Sequence, residues 1–154
     1  MTQIAPEFDM AAWINTPAPL RLADQRGRVV VLHAFQMLCP GCVLHGVPQA
    51  QRVHDLFAHE DVQVVGLHSV FEHHEAMREA SLKAFVQEFR VTFPIGIDRH
   101  EGGDPMPLTM SRYAMRGTPT LILIDRQGVV RAHQFGQVED LALGAQIARL
   151  VAER

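Results

Sequence analysis

Cysteine is nearly absent from this chain: there are two in 154 residues, and no second pair. A structural zinc site takes four ligands, so two thiolates alone do not build one. None of the nine histidines stands at metal-site spacing in a position that plainly faces the cysteines. No metal is expected. Runs of basic residues are also missing, and the net charge is a mild −3. Nucleic-acid binding therefore has no electrostatic footprint. No apolar stretch approaches the length of a membrane span. The first residues, Met1-Thr-Gln-Ile-Ala-Pro-Glu-Phe8, carry neither a positive region nor an apolar core like that of a secretory signal. The chain thus reads as cytoplasmic as written, and as periplasmic if a leader was removed. Its length suits one domain over residues 1–154.

The two cysteines that are present stand together in Leu38-Cys39-Pro40-Gly41-Cys42. Before them runs Arg28-Val-Val-Val-Leu-His-Ala-Phe35, a continuous apolar run expected of a buried parallel strand. After them the spacing is helical. A dithiol where a strand hands over to a helix has a clear use. Unpaired N–H groups and the helix dipole favour an anion on the first sulfur. Cys39 is then the nucleophile. Cys42, one turn further in, is placed to attack a mixed disulfide formed on Cys39. The same two thiolates could instead hold Cu(I), as a metallochaperone would.

The remaining pattern alternates strands and helices. Residues 4–26 read as irregular, with a short edge hairpin. Residues 40–60 read as a helix interrupted near Gly46 and Pro48. Val62–His68 reads as a second buried strand. Residues 73–90 read as an amphipathic helix with Met77, Leu82, Phe85, Val86 and Phe89 mostly on one face. Phe93–Ile97 is a short strand, 98–108 a loop, and 109–115 a short helix. Thr120–Asp125 is a third long strand. A turn at Asp125-Arg-Gln-Gly128 returns the chain antiparallel through Val129–Phe135. A helix over 139–152 closes the fold, an α/β architecture with a mixed sheet flanked by helices.

Three features occur in order: the Cys-x-x-Cys run, Gly117-Thr118-Pro119-Thr120 before an apolar strand, and the Asp125-Arg-Gln-Gly128 hairpin. Together they resemble the thioredoxin superfamily over roughly residues 20–152. The extra helix and strand within 61–97, with Arg26-Gly-Arg-Val-Val-Val-Leu32, resemble its TlpA/ResA-like redoxin branch. The resemblance implies a thioredoxin fold with an inserted helix–strand segment and a thiol–disulfide oxidoreductase that needs no bound cofactor. It implies a cis Thr118–Pro119 bond beside the sulfurs. Substrate contact falls to Thr118, Pro119, Pro40 and Gly41. The partners implied are protein thiols or disulfides and an upstream reductant or oxidant.

The chain departs from the pattern in places. Phe35 is followed by Gln36-Met37-Leu38, without the usual Trp. Peroxiredoxins, which share the scaffold, carry a proline and a Thr or Ser that bind peroxide. Here positions 32 and 36 are Leu and Gln, so a peroxidase is the alternative and not the first reading. His33 stands where thioredoxins bury an Asp. Burial is expected to depress its basicity, and it either exchanges a proton with Cys42 or is a neutral core histidine whose nitrogens are satisfied by backbone or water. His45, three residues after Cys42, is a candidate modulator, although Pro48 comes one residue later than the common pattern.

Overall fold

The structure, a computed structural model, describes residues 2–153. Its strands are β1 (Met10–Ile14), β2 (Val29–Phe35), β3 (Val62–His68), β4 (Ile95–Asp98), β5 (Thr120–Ile124) and β6 (Val130–Phe135). The helices are α1 (Val47–Leu56), α2 (Glu79–Glu88), α3 (Leu108–Arg112) and α4 (Asp140–Ala152). They surround one mixed sheet in the order β1-β4-β3-β2-β5-β6.

The apolar run of β2 is buried at every residue because the strand sits inside this sheet with both faces covered. Its side chains alternate between faces. Val29, Val31 and Phe35 join Cys42, Val47, Leu82, Phe85 and Leu143 in one core. Val30, Leu32 and Ala34 join Leu22, Met110, Tyr113 and Ile122 in the other. By the same alternation His33 points into the first core, the one that contains Cys42.

Strand direction then fixes where the site can form. β2 runs parallel to β3, pairing Phe35 with His68, so both strands end at the same edge. β5 runs antiparallel to β2 and pairs Thr120 with Ala34, so it begins at that edge. Three loops converge there: residues 36–41, 69–78 and 117–119.

Several expectations need correction. The N-terminal segment forms no hairpin of its own; β1 pairs antiparallel with β4, with Ile14 opposite Ile95. That partner is remote in sequence, so nothing local announced it. The helix expected over 40–60 is two pieces. Cys42–Gly46 is a π-helical turn, in which Val47 N–H reaches the Cys42 carbonyl, and α1 follows. A π turn holds one residue more than an α turn. It takes up the extra residue that displaces Pro48. The helix expected over 73–90 begins as a 3-10 turn at His74–Ala76, after His73 in a left-handed conformation, and becomes α-helical only at Glu79. Met77, Leu82, Phe85 and Val86 are buried, but Phe89 is 57% exposed at the helix end.

Candidate active site

Cys39 begins the helical run after β2. Its carbonyl accepts from Val43 N–H at 3.0 Å, the first intrahelical bond. Cys42 N–H, three residues on, donates to Cys39 Sγ at 3.4 Å. This is the geometry of an N-cap, with sulfur in place of the usual oxygen. Pro40 falls at the first helical position, where its missing N–H costs nothing. The Cys-Pro-Gly-Cys order is thus what a helix start needs if its cap is to be a nucleophile.

The two thiols are free and unequal: Cys39 is partly exposed and Cys42 is 0% exposed. Burial and the hydrogen bond to Cys39 push the Cys42 thiol up to about 12. Hydrogen bonds from the Gln36 backbone and the Thr118 side chain pull it partly back.

Thr118–Pro119 is cis. The Thr118 carbonyl accepts from Cys39 Sγ at 3.5 Å. A Cβ on Gly41 would lie 3.4 Å from Pro119 Cδ, so Gly41 lies close against the proline ring. A cleft of about 170 Å³ opens beside Cys39, between Leu38, Pro40, Phe71, Met77 and Thr118. Its far wall belongs to the 69–78 loop that leads into the inserted helix.

His33 lies under the π turn. Its ring stacks with Phe35, centroids 5.9 Å apart. A Cβ on Gly46 would lie 2.5 Å from His33 Cε1 and 3.3 Å from Pro119 Cβ, so only glycine fits between them. Neither ring nitrogen has a hydrogen-bond partner among the described residues. Desolvation lowers its pKa to about 4, so it is neutral near pH 7. His45 is exposed on the π turn and shares with His33, Gly46 and Pro119 a crevice of about 10 Å³.

Sequence reasoning missed two residues here. Gln36, noted only for what it replaces, is 1% exposed and spans two of the converging loops. Its Nε2 donates to Thr118 Oγ1 at 3.3 Å, its Oε1 accepts from Phe71 N–H at 3.2 Å, and its carbonyl accepts from Cys39 N–H at 3.0 Å. His68 ends β3, buried against Phe35, and its Nε2 accepts from Met37 N–H at 3.2 Å. That bond needs a bare nitrogen, and burial supplies it by lowering the His68 pKa to about 4. The one available signal was a polar residue at the C-terminal end of each of two largely apolar strands. The His73–His74 pair is exposed, and His74 also reaches the Pro105 carbonyl. Among the described residues no group of three or more His, Cys, Asp or Glu is arranged to hold a metal ion. No helix among them is long and apolar enough to cross a membrane.

Comparison with known proteins agrees with this geometry. The chain is 55% identical to the crystal structure of a thioredoxin-like superfamily protein, with a TM-score of 0.95, covering 99% of this chain and 98% of that one. It is 49% identical to the crystal structure of a thiol-disulfide isomerase from Corynebacterium glutamicum, with a TM-score of 0.93, covering 97% and 98%. It is 28% identical over 111 residues to the thiol-disulfide oxidoreductase ResA of Geobacillus kaustophilus. That match takes in 72% of this chain, which spans only 56% of the relative's length. The thioredoxin fold and the ResA-like resemblance both stand. Residues 1–133 match the AhpC/TSA family, and the chain belongs to that family.

Proposed function

We propose that the chain is a thiol–disulfide oxidoreductase that works as a single thioredoxin-like domain and reduces protein disulfides through Cys39 and Cys42. The observation that carries this reading is the inequality of the two sulfurs. Cys39 caps a helix at the edge of an open cleft, and Cys42 is buried one turn behind it.

The cycle balances with no further reagent inside the protein. Cys39 thiolate attacks one sulfur of the substrate disulfide. A Cys39–substrate disulfide forms, and the other substrate sulfur leaves as thiolate and takes a proton from water. Cys42 then gives up its proton and attacks Cys39 Sγ. The Cys39–Cys42 disulfide forms as the Cys39–substrate bond breaks, and the second substrate thiolate departs. The substrate gains two electrons, and the dithiol loses them. An upstream dithiol reverses the change in the enzyme. The two sulfurs carry the electrons, so the cycle calls for no bound cofactor.

His33 is the proposed acceptor of the Cys42 proton. Two facts support it. Its side chain points into the core that holds Cys42, and both its nitrogens are free. Burial opposes the thiolate and the imidazolium when each stands alone. Formed together they make a neutral pair, which loses less of its solvation than either ion. Thr118, Pro119, Pro40 and Gly41 are the proposed substrate contacts, and His45 a modulator of the same end of the helix. The peroxidase alternative finds no support at position 36, where both amide atoms of Gln36 are already engaged.

The test is reduction of insulin by the protein with a small dithiol as electron source. Wild type should accelerate precipitation of the insulin chains and Cys39→Ser should not. If wild type has no effect and instead binds one Cu(I) between intact thiols by mass spectrometry, the reading gives way to a copper carrier.

A further inference from the structure

Strand order sets what stands along the site edge of the sheet. β3, β2, β5 and β6 are successive neighbours. The 69–78 loop, the dithiol, the 117–119 loop and the end of β6 therefore follow one another in a row. β6 runs antiparallel to β5 and pairs Phe135 with Thr120, so it ends where β5 begins. Gly136 N–H then donates to the Pro119 carbonyl at 2.8 Å, which fastens the end of β6 to the loop with the cis bond. Phe135 is 50% exposed although its ring lies against Gly117, where a Cβ would come within 2.9 Å of it. The guanidinium of Arg116 sits over the same ring, 5.3 Å from its centroid. Arg116 is exposed and makes no ion pair among the described residues. Arg112, four residues earlier, is by contrast tied to Asp9 at 3.0 Å. Stacking on an aromatic face holds a guanidinium in place without neutralising it. Partial burial, and after it the charge of Arg116, holds His133 below the ordinary imidazole range. Glu72 stands at the other end of the row, on the far wall of the cleft.

We propose that Arg116, steadied by Phe135, is a specificity-determining residue that binds a carboxylate on the substrate polypeptide two residues from the cysteine under attack. The inference rests on the dithiol reading above and narrows its substrate class to disulfides flanked by acidic residues. The Thr118 carbonyl is 3.5 Å from Cys39 Sγ, so a cysteine presented to Cys39 lies beside Thr118. Arg116 is two residues away on the same loop, at most about 7 Å of backbone. A polypeptide extended along the loop sets its second residue from the cysteine at a matching distance. The planar fork of the guanidinium accepts a carboxylate through two parallel N–H bonds. Because the ring already restrains the side chain, less rotamer freedom is lost when the pair forms. A basic residue at the same place meets like charge, so the site selects by repulsion as well as attraction. Phe135 is a positioning residue, since it acts through Arg116.

The test uses peptides with one cysteine, held as a disulfide with mercaptoethanol. Each carries Glu, Gln or Lys two residues before or two residues after that cysteine. Reduction releases the peptide thiol and mercaptoethanol and leaves the Cys39–Cys42 disulfide, which a small dithiol then reduces. Rates are read as kcat/KM relative to the Gln peptide on the same variant, so a change in folding or in the dithiol chemistry cancels. At one of the two positions the wild type should favour Glu over Gln by about fivefold, the upper end for an exposed ion pair. It should disfavour Lys at that position, and KM should carry the difference because Arg116 acts on binding. Arg116→Gln should bring the Glu preference to about one. Arg116→Lys keeps the charge without the stacked fork, and Phe135→Leu keeps the arginine without its platform. Each should retain only about twofold. Salt at 1 M, where charges are screened beyond about 3 Å, should also remove the preference. Equal rates for all three peptides in the wild type, or a Glu preference that survives in Arg116→Gln or in 1 M salt, would overturn the proposal. A full preference in Phe135→Leu would overturn the stacked arrangement. A wild type that reduces none of the peptides contradicts the dithiol cycle itself, so the two failures are told apart.

Discussion

At the scale of single residues, the site is built from mismatched neighbours. Two thiols three positions apart receive opposite treatment: one caps a helix at the surface, and the other is sealed beneath it. Thiolate character and access together govern alkylation. Iodoacetamide near neutral pH should therefore label Cys39 well before Cys42, as read by peptide mass mapping, and faster labelling of Cys42 would reverse the assigned roles. Cys42→Ser should hold a substrate protein as a mixed disulfide on Cys39. His33 and Gly46 form a second matched pair, because the imidazole occupies the space a Cβ would need. Gly46→Ala forces the ring or the π turn to move. Overpacking of this kind costs about 1–3 kcal/mol, measurable as a lowered denaturant midpoint, and an unchanged midpoint would show that the turn yields freely. His33→Asn keeps a polar group and removes titration. If His33 takes the Cys42 proton, the resolving step should slow by about 10²-fold or more, the usual contribution of a general base. Normal turnover per folded molecule would leave His33 as a packing residue.

At the scale of elements, sequence was clearest where one physical signal dominates. The continuous apolar run at 29–35 and the Gly128 turn before β6 were both legible, since burial on two faces and a positive-φ glycine leave local marks. The dithiol was legible for the same reason: a helix start follows a strand within a few residues. β1 was not legible, because its partner β4 lies far along the chain. The π turn was half legible. The displaced Pro48 signalled an extra residue, but not that a wider turn would hold it against His33. Asp98 was passed over, since an acid at a strand end looks like an ordinary turn residue. In the fold it is buried and accepts from Ser69 Oγ at 2.8 Å, Thr109 N–H at 2.8 Å and Met110 N–H at 2.9 Å. It thus ties the start of α3 to the loop that walls the cleft. Asp98→Asn points an NH₂ at groups that already donate. The expected cost is about 1–3 kcal/mol for the bonds left unmade, read by thermal or urea unfolding. A wild-type midpoint would mean that the loop and α3 do not depend on this carboxylate.

At the scale of the whole molecule, two buried imidazoles tie stability to pH. His33 and His68 are both held near 4, below the 6.5 of an exposed imidazole, by loss of solvation. The unfolded chain therefore binds more protons than the folded one between these values. Their contribution is fully present above about pH 6.5 and is lost as pH falls toward 4. The loss should reach about 2 kcal/mol per histidine by roughly pH 5. In urea titrations His68→Gln should flatten this decline by about half, and a wild type equally stable at mildly acidic and neutral pH would contradict the buried neutral state. Below that range Met37 N–H also loses its acceptor, so the loop before Cys39 loosens with the core.

The fold brings three loops to one edge of the sheet, and in the proposed function they serve one two-electron couple. A redox titration against glutathione, with each point quenched in acid and mapped by peptide mass, tests this most directly. The expected result is a single transition in which Cys39 and Cys42 pass together from two free thiols to one intramolecular disulfide, with glutathione adducts only in passing. Thiols that stay free across the whole range, or that accumulate glutathione separately without joining each other, would contradict it.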